Sequence, residues 1–321
     1  MTNGRESGGG PTVPADSAPS AGHGPGQATA VVEATPAGGS AGSPRRPLLD
    51  IFDNKLAVVG LGLILVIALF CFVGPLIYHT DQVHTNLEIA NLTPSAAHPL
   101  GTDELGYDIL GRLMAGGQSS LKVGFGVAIL ATALGTLWGA CAGFIGGLLD
   151  SIMMRLVDTL LAIPALFIII YLATLYQPTI WMLIAVISVI SWLVPARLIR
   201  GETLTLRTLE FIDAARVLGE SKRRIIVKHI IPNTVGIIVV NATFQIADAI
   251  LLLALLSFLG FGLPPPAATW GGMLSSGVNY VYDGYWWEIY PAGIIIVLTV
   301  IAFNLVGDAL RDRVDARLRQ R

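Results

Sequence analysis

Charge is what this sequence has least of: Asp, Glu, Lys and Arg make up 13% of its 321 residues, where a soluble domain carries about 25%. Hydrophobic residues make up 53% and the mean hydropathy is +0.68, so lipid is the solvent for most of the chain. A basic excess is missing too. The formal net charge is -2, without the positive field that a nucleic-acid partner would call for. Cysteine is nearly absent. Cys71 and Cys141 both sit in apolar runs, which makes neither a disulfide framework nor a set of metal ligands; they read as small hydrophobes. No Gly-Lys pair occurs anywhere, which excludes a phosphate-binding loop, since that loop closes on Gly-Lys-Ser or Gly-Lys-Thr. A His-Glu-x-x-His helix is also missing. The expectation is therefore no catalytic residue, no metal site and no cofactor in this chain.

Residues 1–47 have almost no large apolar side chains and are rich in Gly, Pro, Ala and Ser. Such a segment cannot bury enough surface to offset its chain entropy, so a disordered tail is expected. It lacks the basic start and immediate apolar stretch of a secretory signal.

What is present is six apolar stretches near the length of about 20 residues that a bilayer core demands of a helix. They run over 56–78, 123–144, 156–175, 180–196, 234–259 and 289–307. Pro75, Pro164, Pro195 and Pro291 fall in or at the ends of these stretches, where they kink a membrane helix rather than abolish it. The fold class expected is an all-α membrane protein of six transmembrane helices. Residues 48–118 would hold the first span and a large outer loop, 119–312 a core of five further spans with a long loop at 197–232, and 313–321 a basic tail.

An even number of spans puts both ends on one side. With the ends inside, only Arg112 and Lys122 of the 20 Lys and Arg residues lie outside, a strong positive-inside bias. Tyr280, Tyr282, Tyr285, Trp286 and Trp287 then fall at the outer interface, where amphipathic rings settle.

The long inner loop carries the clearest pattern. Phe211 to Leu218 reads as a short helix with Phe211, Ala215 and Leu218 spaced along one face. Gly219 suits the left-handed residue that ends a helix, and Ser221 suits the cap of the next. Lys222, Arg223 and Arg224 open that next helix against its dipole, which suggests a use elsewhere, on lipid phosphates or an acidic partner. A solvated loop touching only head groups is the plainer reading of the same residues.

The run Asp213-Ala214-Ala215, three residues, Gly219, and Pro232 thirteen residues on resembles the Glu-Ala-Ala loop of binding-protein-dependent ABC importers. His229 and Ile231 stand where that pattern has Ile and Leu. The stretches His98-Pro99-Leu100-Gly101-Thr102-Asp103-Glu104, Leu256-Ser257-Phe258-Leu259-Gly260-Phe261-Gly262 and Phe52-Asp53-Asn54-Lys55 resemble the dipeptide and oligopeptide (DppC/OppC-like) branch, from about Leu48 to Asp312. Tyr107 stands where the branch usually has arginine. The resemblance implies a type I importer permease fold in a bacterial cytoplasmic membrane. Its coupling loop would dock on a separate ATPase through Asp213, Ala214, Ala215, Arg216 and Gly219. The partners it implies are a second homologous permease, two ATPase subunits or one fused ATPase that bind ATP and Mg, and an extracytoplasmic substrate-binding protein. The cargo it implies is a di- or oligopeptide; a nickel chelate, glutathione or heme in the same architecture is the alternative, and an ion-driven secondary transporter a more distant one.

Charge inside lipid usually faces a cavity or the bundle interior. Asn241, Gln245 and Asp248 recur at helical spacing in the fifth stretch, a polar stripe expected either to line a translocation path or to make interhelical hydrogen bonds. Arg155 and Asp158 are spaced as a structural pair.

Overall fold

The computed structural model describes residues 54–318. The expected tail over 1–47 and the last basic residues, 319–321, lie outside that range. The described residues are helical throughout apart from loops and turns, with one isolated β-bridge, Thr102 to Asp108.

The helices are α1 (Lys55–Phe72), α2 (Gly74–Ile77), α3 (Ile109–Ile145), α4 (Gly147–Ala162), α5 (Ala165–Leu175), α6 (Ile180–Ser191) and α7 (Leu193–Leu206). They continue with α8 (Glu210–Val217), α9 (Lys222–Ile225), α10 (Ile231–Leu256), α11 (Trp270–Val278) and α12 (Tyr290–Leu318). Four unbroken stretches, Lys55–Ile77, Ile109–Ile145, Lys222–Phe261 and Trp286–Val314, are long and apolar enough to cross a bilayer. Two bent pairs supply the other two spans: α4 with α5 at 86° and α6 with α7 at 45°. Proline causes both breaks. Pro164 restricts Ile163 to the extended region and stands between α4 and α5. Pro195 removes an N–H and leaves the Ser191 carbonyl without a helical donor at the α6–α7 junction.

Several boundaries differ from the sequence reading, among them the third stretch, whose helix begins at Gly147 rather than 156. The second span begins at Ile109, not near 123, because Asp108 caps it: its Oδ1 accepts from Gly111 N at 2.9 Å. Arg112 and Lys122 are therefore in a helix rather than in a loop. The inner loop expected at 197–232 is helical to Leu206 and again from Lys222, so only a short connection around α8 is left. The fifth span, expected from 234, begins further back, at Lys222, and runs through Pro232. Proline is absorbed in an almost continuous helix by a π-turn over Ile226–Ile230, closed by Ile231 N bonding Ile226 O, the kind of local adjustment by which membrane helices tolerate proline. The basic stretch from 313 continues α12 as far as Leu318.

At 37 residues, α3 is about 55 Å long at the usual helical rise, and α1, α6, α7 and α10 all pack on it. Gly135, Gly139 and Gly143 recur every fourth residue on its α7 side. A Cβ added at Gly139 would stand 2.3 Å from Ala196 O, so only glycine permits the backbones to touch, as at small-residue contacts in lipid. On another side of α3, Trp270 of α11 is fully buried and donates Nε1–H to Leu113 O at 2.9 Å. Cys71 is buried and Cys141 partly so, and both are free thiols.

Candidate functional site

The helix–turn–helix at one end of the bundle is built from local rules. Leu218 N bonds Ala214 O, Gly219 N bonds Arg216 O and Glu220 N bonds Ala215 O, at 3.0, 3.0 and 3.1 Å. This is the Schellman ending of α8, and it needs a left-handed residue after the C-cap; Gly219 has φ +79°. Ser221 then caps α9, its Oγ accepting from Arg224 N at 3.4 Å.

The face of α8 that carries Phe211, Ala215 and Leu218 is divided between core and surface. Ile212 and Ala215 are the buried residues; they pack with Ala140 and Phe144 of α3, Ile199 of α7, and Ile225, Ile226 and Ile230 beyond the turn. Phe211 and Leu218 point away from that core, together with Ala214 and Val217. Val217 and Leu218 are 88% and 83% exposed. The turn thus presents an apolar tip, while Ala215 of the small pair is used for internal packing. Asp213 and Arg216 pair with each other at 2.8 Å, and the Arg216 guanidinium lies 5.3 Å from the centre of the Phe144 ring.

Two partners unseen in the sequence brace this turn. His229, at a position where the loop pattern has Ile, contacts Glu220 Oε2 through Nε2 at 2.9 Å, and Arg224 approaches the other Glu220 oxygen at 3.5 Å. A His–Glu spacing of nine residues across a turn carries no periodic signal, so pattern reading misses it. On the same side, Arg200 grips Asp150 with two bonds of 2.6 and 2.8 Å. Asp158 pairs with Arg197 rather than with Arg155, because α4 and α7 bring their side chains together.

The polar residues of α10 divide. Gln245 is buried at 7% exposure; the Asn241 side-chain oxygen is buried without a partner among the described residues. Asp248 is exposed, on a face shared with exposed Leu251 and Leu255. The three therefore do not form one uniform lining within this chain.

At the other end of the bundle, loop 78–108 folds over the start of α3. Asp108 Oδ2 accepts from Tyr78 OH at 2.7 Å and contacts His98 Nδ1 at 3.0 Å; burial, then this bond, pushes the Tyr78 phenol up to about 12. Arg112 stacks 4.0 Å over the Tyr107 ring, stands 3.5 Å from Asp103 and donates to Pro266 O at 2.7 Å. Burial raises the Asp103 carboxyl above its ordinary range, opposed by Tyr107 N–H, Arg112 and Leu105 N–H. Tyr280, Tyr285 and Trp287 form a stack with centroids 6.0 and 5.2 Å apart. Trp287 is only 5% exposed, so it belongs to the core and not to an interfacial belt. Among the described residues no group of three His, Cys, Asp or Glu is placed to hold a metal ion.

Comparison with known proteins covers nearly the whole chain. Residues 135–320 match the family described as binding-protein-dependent transport system inner membrane component. Residues 48–94 match the N-terminal TM domain of oligopeptide transport permease C. The oligopeptide transport system permease protein OppC of Bacillus subtilis (strain 168) is 39% identical over 85% of this chain and 89% of its own length. The dipeptide transport system permease protein DppC of the same organism is 38% identical over 83% of each chain. OppC of Escherichia coli (strain K12) is 39% identical over 82% of this chain and 88% of its own.

Proposed function

The chain belongs to the family of binding-protein-dependent transport system inner membrane components, and from that premise we propose that it is a pore-forming permease subunit of an ATP-driven importer of di- and oligopeptides. The relatives named for oligopeptide and dipeptide transport support the cargo class. The observation that carries the coupling role is the tip of α8. Its inner face is held by Ile212 and Ala215, and its outer face leaves Ala214, Val217 and Leu218 uncovered. Adjacent apolar side chains exposed on a braced turn mark a contact surface for another protein. The partner on this reading is the ATPase, with Asp213, Ala214, Ala215, Arg216 and Gly219 forming or supporting the docking element. ATP and Mg bind to that partner, as two subunits or one fused chain, and not to this chain. Both termini and α8 lie in the cytoplasm of a bacterial cell, and the loop at 78–108 meets an extracytoplasmic binding protein.

A second, homologous permease completes the pore. It covers the α10 face on which Asp248 stands among leucines, since a carboxylate turned toward lipid is costly and usually faces a protein cavity. Of the polar stripe Asn241, Gln245 and Asp248, the exposed Asp248 contributes to the path between the two subunits, while Gln245 is buried inside this chain. Transport then follows alternating access: ATP-driven closure of the motor moves α8 as a rigid lever on α3 and α7, a switch between two packed arrangements.

The test is uptake of a labelled dipeptide and tripeptide in cells carrying or lacking this chain, alongside labelling of a Ser221→Cys variant by a membrane-impermeant maleimide. Loss of peptide uptake without the chain, with Ser221→Cys labelled only after the membrane is opened, is expected. Labelling from outside intact cells, or peptide transport by the reconstituted chain with no ATPase, ends the proposal.

A further inference from the structure

A cavity of about 410 Å³ opens between the start of α3 and the Gly262–Thr269 loop, with Asp103, Arg112, Ser257, Ser275, Ser276 and Glu288 among its lining residues. Its charges are unevenly matched. Arg112 is the cation of the lining, and it is already engaged by Asp103, by Pro266 O and by the Tyr107 ring. Glu104, next to Asp103, stands near Tyr280, and its negative charge holds that phenol above its ordinary range. Glu288 is left over. It is 3% exposed, and neither carboxylate oxygen has a hydrogen-bond partner among the described residues. Ser257, 4% exposed, lines the same cavity with its hydroxyl equally unpartnered. A buried carboxylate without a partner is costly, and such orphans in native proteins call for an explanation.

We propose that this cavity binds a primary ammonium group, with Glu288 as its counter-ion and Ser257 as a second acceptor, and that the ammonium is the N-terminus of a peptide. An ammonium carries three N–H donors, and two residues of the cavity wall, Glu288 and Ser257, hold three buried oxygen atoms with no partner among the described residues. A metal ion fits poorly. Calcium takes six to eight oxygen ligands, and no cluster of three candidate ligands is present among the described residues. The volume falls in the range of small-ligand pockets, enough for a terminal residue and not for a folded partner. The wall of Pro264, Pro265 and Ala267 adds a stiff apolar side for the attached chain. The assignment to a peptide rests on the importer reading above; the ammonium site itself does not.

The experiment uses the full chain in its assembled complex, in lipid nanodiscs, carrying Ser276→Cys as a reporter at the cavity wall. The rate of maleimide labelling is measured against trialanine, N-acetyl-trialanine and methylamine. Trialanine and methylamine are expected to slow labelling and N-acetyl-trialanine to do so far less. Adding Glu288→Gln should raise the half-protecting concentration of the amines by about 10- to 100-fold, the range for a lost charge-assisted hydrogen bond. Glu288→Asp should raise it less. Equal protection by the free and acetylated peptides, or protection unchanged by Glu288→Gln, overturns the site. Protection by methylamine but not trialanine overturns the peptide as its source. If Glu288→Gln does not assemble, Ser257→Ala in the same reporter background must weaken amine protection without changing that by N-acetyl-trialanine; no change overturns the site. Uptake measured in parallel separates the two readings. Glu288-dependent protection without peptide uptake rejects the importer's cargo and keeps the ammonium site; peptide uptake with Glu288-independent protection does the reverse.

Discussion

Replacement of Gly219 separates two reasons why a turn needs glycine. The residue has φ +79°, and a Cβ built on it meets no atom within 4 Å. Space is therefore no obstacle within this chain, and the cost of a side chain is conformational. For an L-residue that cost is roughly 1–2 kcal/mol in the left-handed region, which lowers the population of the native turn by about 5- to 30-fold. Asn tolerates the region better than other residues, and a β-branched side chain tolerates it worst. Peptide-stimulated ATP hydrolysis by the assembled complex should thus rank parent, Gly219→Asn, Gly219→Ala and Gly219→Val in falling order, at equal amounts of complex in the membrane. The Schellman bonds from Gly219 and Glu220 to Arg216 and Ala215 would weaken in the same order, readable as faster exchange of those amides. If Gly219→Asn is as damaging as Gly219→Val, the side chain is clashing with a partner and the conformational argument is wrong. If Gly219→Val stimulates ATP hydrolysis fully, the turn is not a coupling element at all.

Gly139→Ala would place a Cβ 2.3 Å from Ala196 O. Since both neighbours are helical backbone, α3 and α7 must part, at about 1–3 kcal/mol, seen as a lower unfolding temperature in detergent; Gly62→Ala, with nothing within 4 Å, should leave it unchanged or higher. Arg200→Lys keeps the charge near Asp150 but loses the two-pronged grip of 2.6 and 2.8 Å, for which lysine is no substitute. A loss of about 1–2 kcal/mol in unfolding stability is expected, and an unchanged unfolding profile would show the pair to be idle. Asp108→Ala removes the cap of α3 and the partner of Tyr78 and His98, at about 1–2 kcal/mol for the cap. Asp108→Asn should restore most of that stability, because an amide oxygen still accepts from Gly111 N.

Much of this was legible in the sequence because membrane helices obey a demand local to each segment: every backbone group must be satisfied within the helix. Long apolar runs therefore appear as spans whatever packs beside them. The turn at Gly219 was legible for the same kind of reason. Gly219 and Ser221 act on their own neighbours, and the structure finds each in its expected role. The boundaries were harder. Arg112, expected in an outer loop, stands in a helix that Asp108 caps, and Asp103, Tyr107 and Pro266 cover its charge. Pro266 comes from 154 residues away, outside any window of sequence around Arg112. Phe211 and Leu218 turn outward while Ala215 on the same face is buried, because spacing defines a face without saying which of its residues the core will cover.

By itself, the sequence determined the number of spans and the helix–glycine–helix turn, both of which depend on solvent transfer or on groups a few residues apart. Tertiary structure alone decided that Glu220 meets His229, that Asp158 meets Arg197 instead of Arg155, and that Glu288 is enclosed with its oxygens unmatched. These are outcomes of how bent helices cross. The crossing depends on where backbones can touch, as at Gly139 and Ala196, and that contact exists only once both helices are in place.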